Sequence, residues 1–219
     1  MSDSRSVILA RVRQAQRTGT FPSAALVAQP FRASGDAGLK ACATNVDATT
    51  TDGSTNEERF IRELDALGVK SYVEATADAV SGRVTEIVAG RSVFAWDTLP
   101  HDITIANAAT GASPREVQAA AEIGVTGCDA AIAETGSLAM LTRPGKPRAA
   151  SLLPPVHLAI VRRDQLRATM GEFFVERADD IASAANCTFI TGPSRTADIE
   201  LTLTLGVHGP GEVIIVIGP

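Results

Sequence analysis

Pro154-Pro155-Val156-His157-Leu158-Ala159-Ile160-Val161 reads as a buried strand, opened by two prolines and interrupted only by a histidine. Over residues 164–178, Leu166, Met170, Phe173 and Phe174 fall where one inward-facing helical stripe would place them, and residues 187–190 return to a strand. Strand, helix and strand in succession predict an α/β protein with helices on the faces of its sheet. Outward toward the C-terminus, Ser194 is expected to open a short helix, and Val213-Ile214-Ile215-Val216-Ile217 is a second continuous apolar run.

The alternation continues toward the N-terminus. Ala130-Ala131-Ile132-Ala133 and Leu138-Ala139-Met140-Leu141 flank Glu134-Thr135-Gly136-Ser137, which predicts a hairpin or a bent strand pair. Residues 114–121 read as a helix with proline in its first turn. Residues 93–96 read as a buried strand and residues 103–106 as another. Thr76 is placed to cap a helix whose apolar face is Val80, Val84, Ile87 and Val88. Residues 69–74 form a short strand, preceded by a helix from Asn56 with Phe60, Ile61, Leu64 and Leu67 on one face and Gly68 at its end. Ahead of that, residues 6–16 suggest a helix and residues 22–56 show no period. The chain thus divides into an N-terminal helix with a long, partly disordered arm (1–56) and one α/β domain with a mostly parallel sheet (57–219).

With 219 residues the chain buries enough surface to need no disulfide or metal staple. Aromatic residues are only 4%, so small branched side chains must build the core. A net charge of -5 gives no basic footprint for nucleic acid. Arg5, Arg11, Arg13, Arg17, Arg32 and Lys40 make the opening segment cationic, either a dock for an acidic partner or a solvated helix face. No apolar run approaches the ~18–20 residues of a membrane span. Arg11 and Arg13 break up what would be a signal-peptide core. A cytoplasmic protein is expected. Cys42, Cys128 and Cys187 are far apart and lack C-x-x-C pairing, which argues against a disulfide framework or an iron–sulfur cluster held by this chain alone. Cys128 and Cys187 read as buried small hydrophobes. The three histidines lack metal-ligand spacing, so no metal site is expected.

Three glycine-containing clusters lie at strand ends, where α/β sheets gather ligands. Glu134, beside Thr135, Gly136 and Ser137, is suited to be a general base, a nucleophile or a hydrogen-bond clamp. The plainer alternative is a carboxylate that pairs with an arginine or caps backbone amides. Gly192, Ser194, Arg195 and Thr196, followed by Asp198 and Glu200, suit an anion at a helix N-terminus, or else form an ordinary helix cap. His208, between Gly206 and Gly209, is either a proton carrier or ligand contact, or a surface-turn histidine. His157, inside an apolar strand, reads as a core histidine.

Taken in order, these stretches resemble the lactate-utilisation protein C family, or LUD domain. Residues 124–137 resemble its "ADxAIAE[ST]G[ST]" segment, residues 151–161 its "SLLPxxHxAIV", residues 191–200 its "SGPSxTADIE" and residues 206–210 its "GVHGP". The resemblance implies a fold related to the NagB/RpiA/CoA-transferase group. It also implies a cluster-free component of a bacterial system that oxidises L-lactate to pyruvate with iron–sulfur partner proteins. The alternative is a free-standing enzyme or anion-binding protein of the CoA-transferase/ribose-5-phosphate isomerase-like fold. Glu134 and His208 are the candidate catalytic residues, and the other cluster residues are the candidate contacts of a small anionic ligand.

Overall fold

A computed structural model describes residues 53–197 and 203–219. Its centre is a parallel sheet of five strands: β1 (Lys70–Val73), β2 (Val93–Ala95), β3 (Ile123–Thr126), β6 (Val156–Arg162) and β11 (Glu212–Gly218). They stand in the order β1-β11-β6-β3-β2. The two long apolar runs of the sequence, β6 and β11, are thus neighbours near its middle, in register His157 to Val213. Both are buried on both faces, as a covered parallel sheet requires.

Two helices sit on the sheet. Helix α1 (Asn56–Leu67) begins with a capping box in which Thr55 and Glu58 exchange side-chain and backbone hydrogen bonds. Thr76 caps α2 (Ala77–Val88). Alternate residues of the central strands separate into two cores. Ile214 and Val216 join Val80 and Val84 of α2, while Val213, Ile215 and Ile217 join Phe60 and Leu64 of α1. The second core also receives a hairpin, β4 (Ala130–Ile132) and β5 (Ser137–Thr142). With β7 (Leu166–Arg167) and β8 (Asn186–Ile190) it forms a smaller sheet, β7-β4-β5-β8. A short helix α3 (Arg115–Ala119) follows Pro114, and α4 (Met170–Glu176) and α5 (Ala178–Ser183) follow β7. Phe173 of α4 packs into a third core with Ile132 and Leu141 of the hairpin.

The α/β class and the mostly parallel central sheet flanked by helices are as the sequence predicts. Several local expectations are corrected. Residues 103–106 form no strand: the edge of β2 is taken by Ala109, which bridges Phe94, while Ile103 and Ile105 pack on the core unpaired. Residues 164–178 are no continuous helix. Leu166 and Arg167 pair with β4 instead, and the Thr169–Glu172 capping box starts α4 only afterwards. Phe174 is 45% exposed rather than inward. Ser194 opens no helix, because Arg195–Ala197 is strand β9, paired antiparallel with β10 (Leu203–Leu205). Strand β3 is not foreseen at all. Its Gly124 admits the Ala150 carbonyl so closely that a Cβ there would lie 1.8 Å from that oxygen. The predicted N-terminal helix and cationic patch, the arm up to residue 52, and Asp198 and Glu200 lie outside the described residues. Among the described residues no helix is long and apolar enough to cross a membrane.

Candidate functional site

The hairpin puts Glu134 at its turn, but the carboxylate is already engaged. Its Oε1 accepts the Met170 backbone N–H at 2.7 Å, at the first turn of α4. A negative charge there satisfies an amide that the helix itself leaves unpaired. Asp129 is engaged in the same way: nearly buried, it accepts the Leu141 N–H at 2.7 Å and lies 3.5 Å from the Lys146 ammonium. Asp129 thus ties the start of the hairpin to β5, and Glu134 ties its turn to α4.

Thr135, Gly136 and Ser137 complete the turn. Gly136 takes φ +64°, which a side chain would strain. Thr135 donates to Ser137 Oγ at 2.8 Å, and Ser137 shares a 2.7 Å hydrogen bond with Thr191 Oγ1. Thus the first two clusters, 54 residues apart, are joined by a chain of three hydroxyls. Both press on the end of α1, since Cβ atoms added at Gly136 and Gly192 would meet Leu67. Arg195 turns to the same place and donates to the Leu67 carbonyl, so its charge sits at the negative end of a helix. The predicted cradle of helix-terminal amides around Gly192, Ser194 and Thr196 is replaced by the start of a β-hairpin.

Beyond Thr191 the chain borders a groove of about 230 Å³. Its walls come from Ser151 and Leu152, from Thr191, Gly192 and Ser194, and from His208, Gly209 and Pro210. Hence three of the four family-like stretches converge here, and the fourth reaches it through the Ser137–Thr191 bond. Arg148, which the sequence reading missed, stands at the rim. It opens the short 3-10 turn Arg148–Ser151, and a cation three residues ahead of Ser151 was the available signal. Among the described residues, no hydrogen bond or ion pair engages the Arg148 guanidinium, the His208 ring or the Ser194 hydroxyl. A cation, an imidazole and a hydroxyl above the apolar Leu152 and Val213 suit a small anion. At about 30 Å³ per water molecule, the volume holds roughly eight waters, below the ~300–1,000 Å³ of pockets for larger ligands.

His157 and Cys128 lie elsewhere. His157 is fully buried, and Nε2 lies 2.9 Å from Thr126 Oγ1. Loss of hydration lowers its pKa to about 4. Burial pushes the Cys128 thiol up, and its sulfur donates weakly to Gln165 Oε1 at 3.6 Å. Cys187 is only partly buried.

Residues 97–217 match the family model of the LUD domain. The chain belongs to the LUD domain family. It is 30% identical over 182 residues to Lactate utilization protein C of Macrococcus caseolyticus, covering 74% of this chain and 78% of that protein. It is 40% identical over 107 residues to Lactate utilization protein C of an Exiguobacterium species, covering 47% and 46%. The chain spans about half the length of most curated relatives it matches, such as 46% and 52%. A crystal structure of a duf162 family protein from Deinococcus radiodurans shares the fold, with a TM-score of 0.62 at 22% identity, over 75% of this chain and 96% of that one. The groove and the Glu134 turn both fall within the LUD domain match.

Proposed function

We propose that this LUD protein is the cluster-free component of a bacterial system that oxidises L-lactate to pyruvate, working in the cytoplasm with iron–sulfur partner proteins. The observation that carries the reading is the 30% identity over 182 residues to a protein named for lactate utilization. Oxidation of lactate releases two electrons and two protons, so an electron carrier is needed. The chain has three cysteines, fewer than the four thiolates that an iron–sulfur cluster usually takes. Clusters on partner proteins fit that chemistry.

The test is L-lactate consumption by cells with this gene deleted and then restored. Loss and recovery support the reading; unchanged consumption, with no redundant lactate dehydrogenase active, overturns it. Co-purification with the iron–sulfur proteins tests the partnership separately. A second reading, a free-standing anion-binding protein or enzyme of the CoA-transferase/ribose-5-phosphate isomerase-like fold, is favoured by the groove alone. It predicts ligand binding without any lactate phenotype.

A further inference from the structure

We propose that the groove bounded by Arg148, Ser194 and His208 binds a small 2-hydroxy- or 2-oxocarboxylate. The choice of ligand class rests on the lactate reading above; the location rests on the geometry alone. Backbone and buried hydroxyls tie the walls together. The Ser194 N–H donates to the Pro210 carbonyl at 2.8 Å, and the Gly206 N–H donates to the Ser194 carbonyl at 2.9 Å. The Ser151 hydroxyl donates to the Arg148 carbonyl at 2.9 Å, and Thr191 is held by Ser137. Among the described residues, no hydrogen bond or ion pair takes up the side-chain ends of Arg148, Ser194 and His208. Arg83, Arg143, Arg162, Arg163, Arg167 and Arg177 each form an ion pair, whereas Arg148 forms none among the described residues.

The three free groups divide the recognition. A guanidinium presents a planar fork that matches a carboxylate. An oxygen on the next carbon, whether hydroxyl or oxo, needs a neighbour that donates or accepts, and imidazole and serine hydroxyl do either. A short alkyl tail meets Leu152 and Val213. The volume of about 230 Å³ suits a ligand of this size and not an enclosed nucleotide or coenzyme.

The experiment is calorimetric titration of the full chain with L-lactate, pyruvate and acetate, read alongside backbone amide chemical shifts. L-lactate or pyruvate is expected to bind more tightly than acetate and to shift the amides of Thr191, Gly192, Ser194 and Gly209. Arg148 is exposed, so Arg148→Gln keeps the fold, and it should weaken binding about 10- to 100-fold. Gly209→Val tests the space rather than the charge. A Cβ at Gly209 would lie 3.5 Å from Ser194 Cβ and 4.0 Å from Leu152 Cδ2, so the backbone tolerates it and the added methyls narrow the groove. Absence of binding by L-lactate and pyruvate, equal binding of acetate, or wild-type affinity in both variants overturns the proposal. The deletion strain separates this failure from that of the lactate reading. Full rescue by Arg148→Gln sinks the groove and leaves the lactate role standing. Binding that is lost in the variants, with lactate consumption unchanged by deletion, keeps the groove and sinks the lactate role.

Discussion

His157 lies inside β6 and His208 in the bend that leads to β11, and the fold uses them in opposite ways. His157 sits opposite Val213 in the register of β6 and β11, fully buried and bonded to Thr126. His208 precedes Val213 by five residues, exposed at the groove and with no partner among the described residues. One histidine is spent on holding strands together and the other keeps its ring available. The same division runs through the family-like stretches: Glu134, Asp129 and Ser137 are engaged internally, while Ser194 and His208, like Arg148 outside those stretches, have no side-chain partner among the described residues.

The strongest blow to the inner region is Gly124→Ala. The new methyl would sit 1.8 Å from the Ala150 carbonyl oxygen, a backbone atom that cannot rotate away. Either β3 or the Arg148–Ser151 turn must move. We expect a loss of more than about 4 kcal/mol, most of the margin of a chain at the low end of ordinary stability. Circular dichroism with urea denaturation checks it; a variant that folds with wild-type stability would mean the turn is not anchored on β3.

The next effect is a pH dependence that His157 brings. In the folded chain the His157 pKa is lowered from 6.5 to about 4. The unfolded chain therefore takes up a proton between those values while the folded chain does not. Stability from this residue is complete above about pH 6.5 and falls as the pH drops toward 4, by about 3 kcal/mol at most. Comparing urea midpoints at pH 7.5 and 4.5 for wild type and His157→Gln isolates it. His157→Gln should flatten the acid loss. Equal slopes in both would show that the buried ring does not set the acid limit.

Much of this arrangement was legible from residue order. The apolar runs of β6 and β11, the cap at Thr76 and the hairpin around Glu134 follow from period and turn chemistry. Strand β3 was hidden because glycine is poor in strands, and its reason, the approach of Ala150, is a contact across 26 residues. The Thr169-x-x-Glu172 capping box was readable and would have placed the start of α4, but the apolar residues on either side mimicked one longer helix. The candidate site is legible in part: His208 and Ser194 stand out in the sequence and both line the groove, whereas only the fold brings Arg148 to them. Arg195 was found but faces the end of α1, which no spacing rule reveals.

Ser137 tests the joint between the spent and the free sides. It is 1% exposed and links Thr135 to Thr191. Ser137→Ala strands two hydroxyl groups, and we expect a cost of about 1–2 kcal/mol. Because Thr191 borders the groove, the variant should also weaken carboxylate binding modestly. Unchanged stability would show that the two hydroxyls find other partners and that the hairpin does not brace the groove.

Glu134→Gln is the smallest change and the sharpest for function. The amide keeps an oxygen that accepts the Met170 N–H, so only the charge at the start of a seven-residue helix is lost. That costs about 0.5–1 kcal/mol. If Glu134 is a clamp, the variant consumes L-lactate like wild type when it replaces the chromosomal copy. If it abolishes consumption while the melting curve barely moves, then Glu134 acts as a base despite its bond to Met170. In that case a hydrogen bond inside the fold does not mark a residue as spent, and the line drawn between the two histidines cannot be extended to carboxylates.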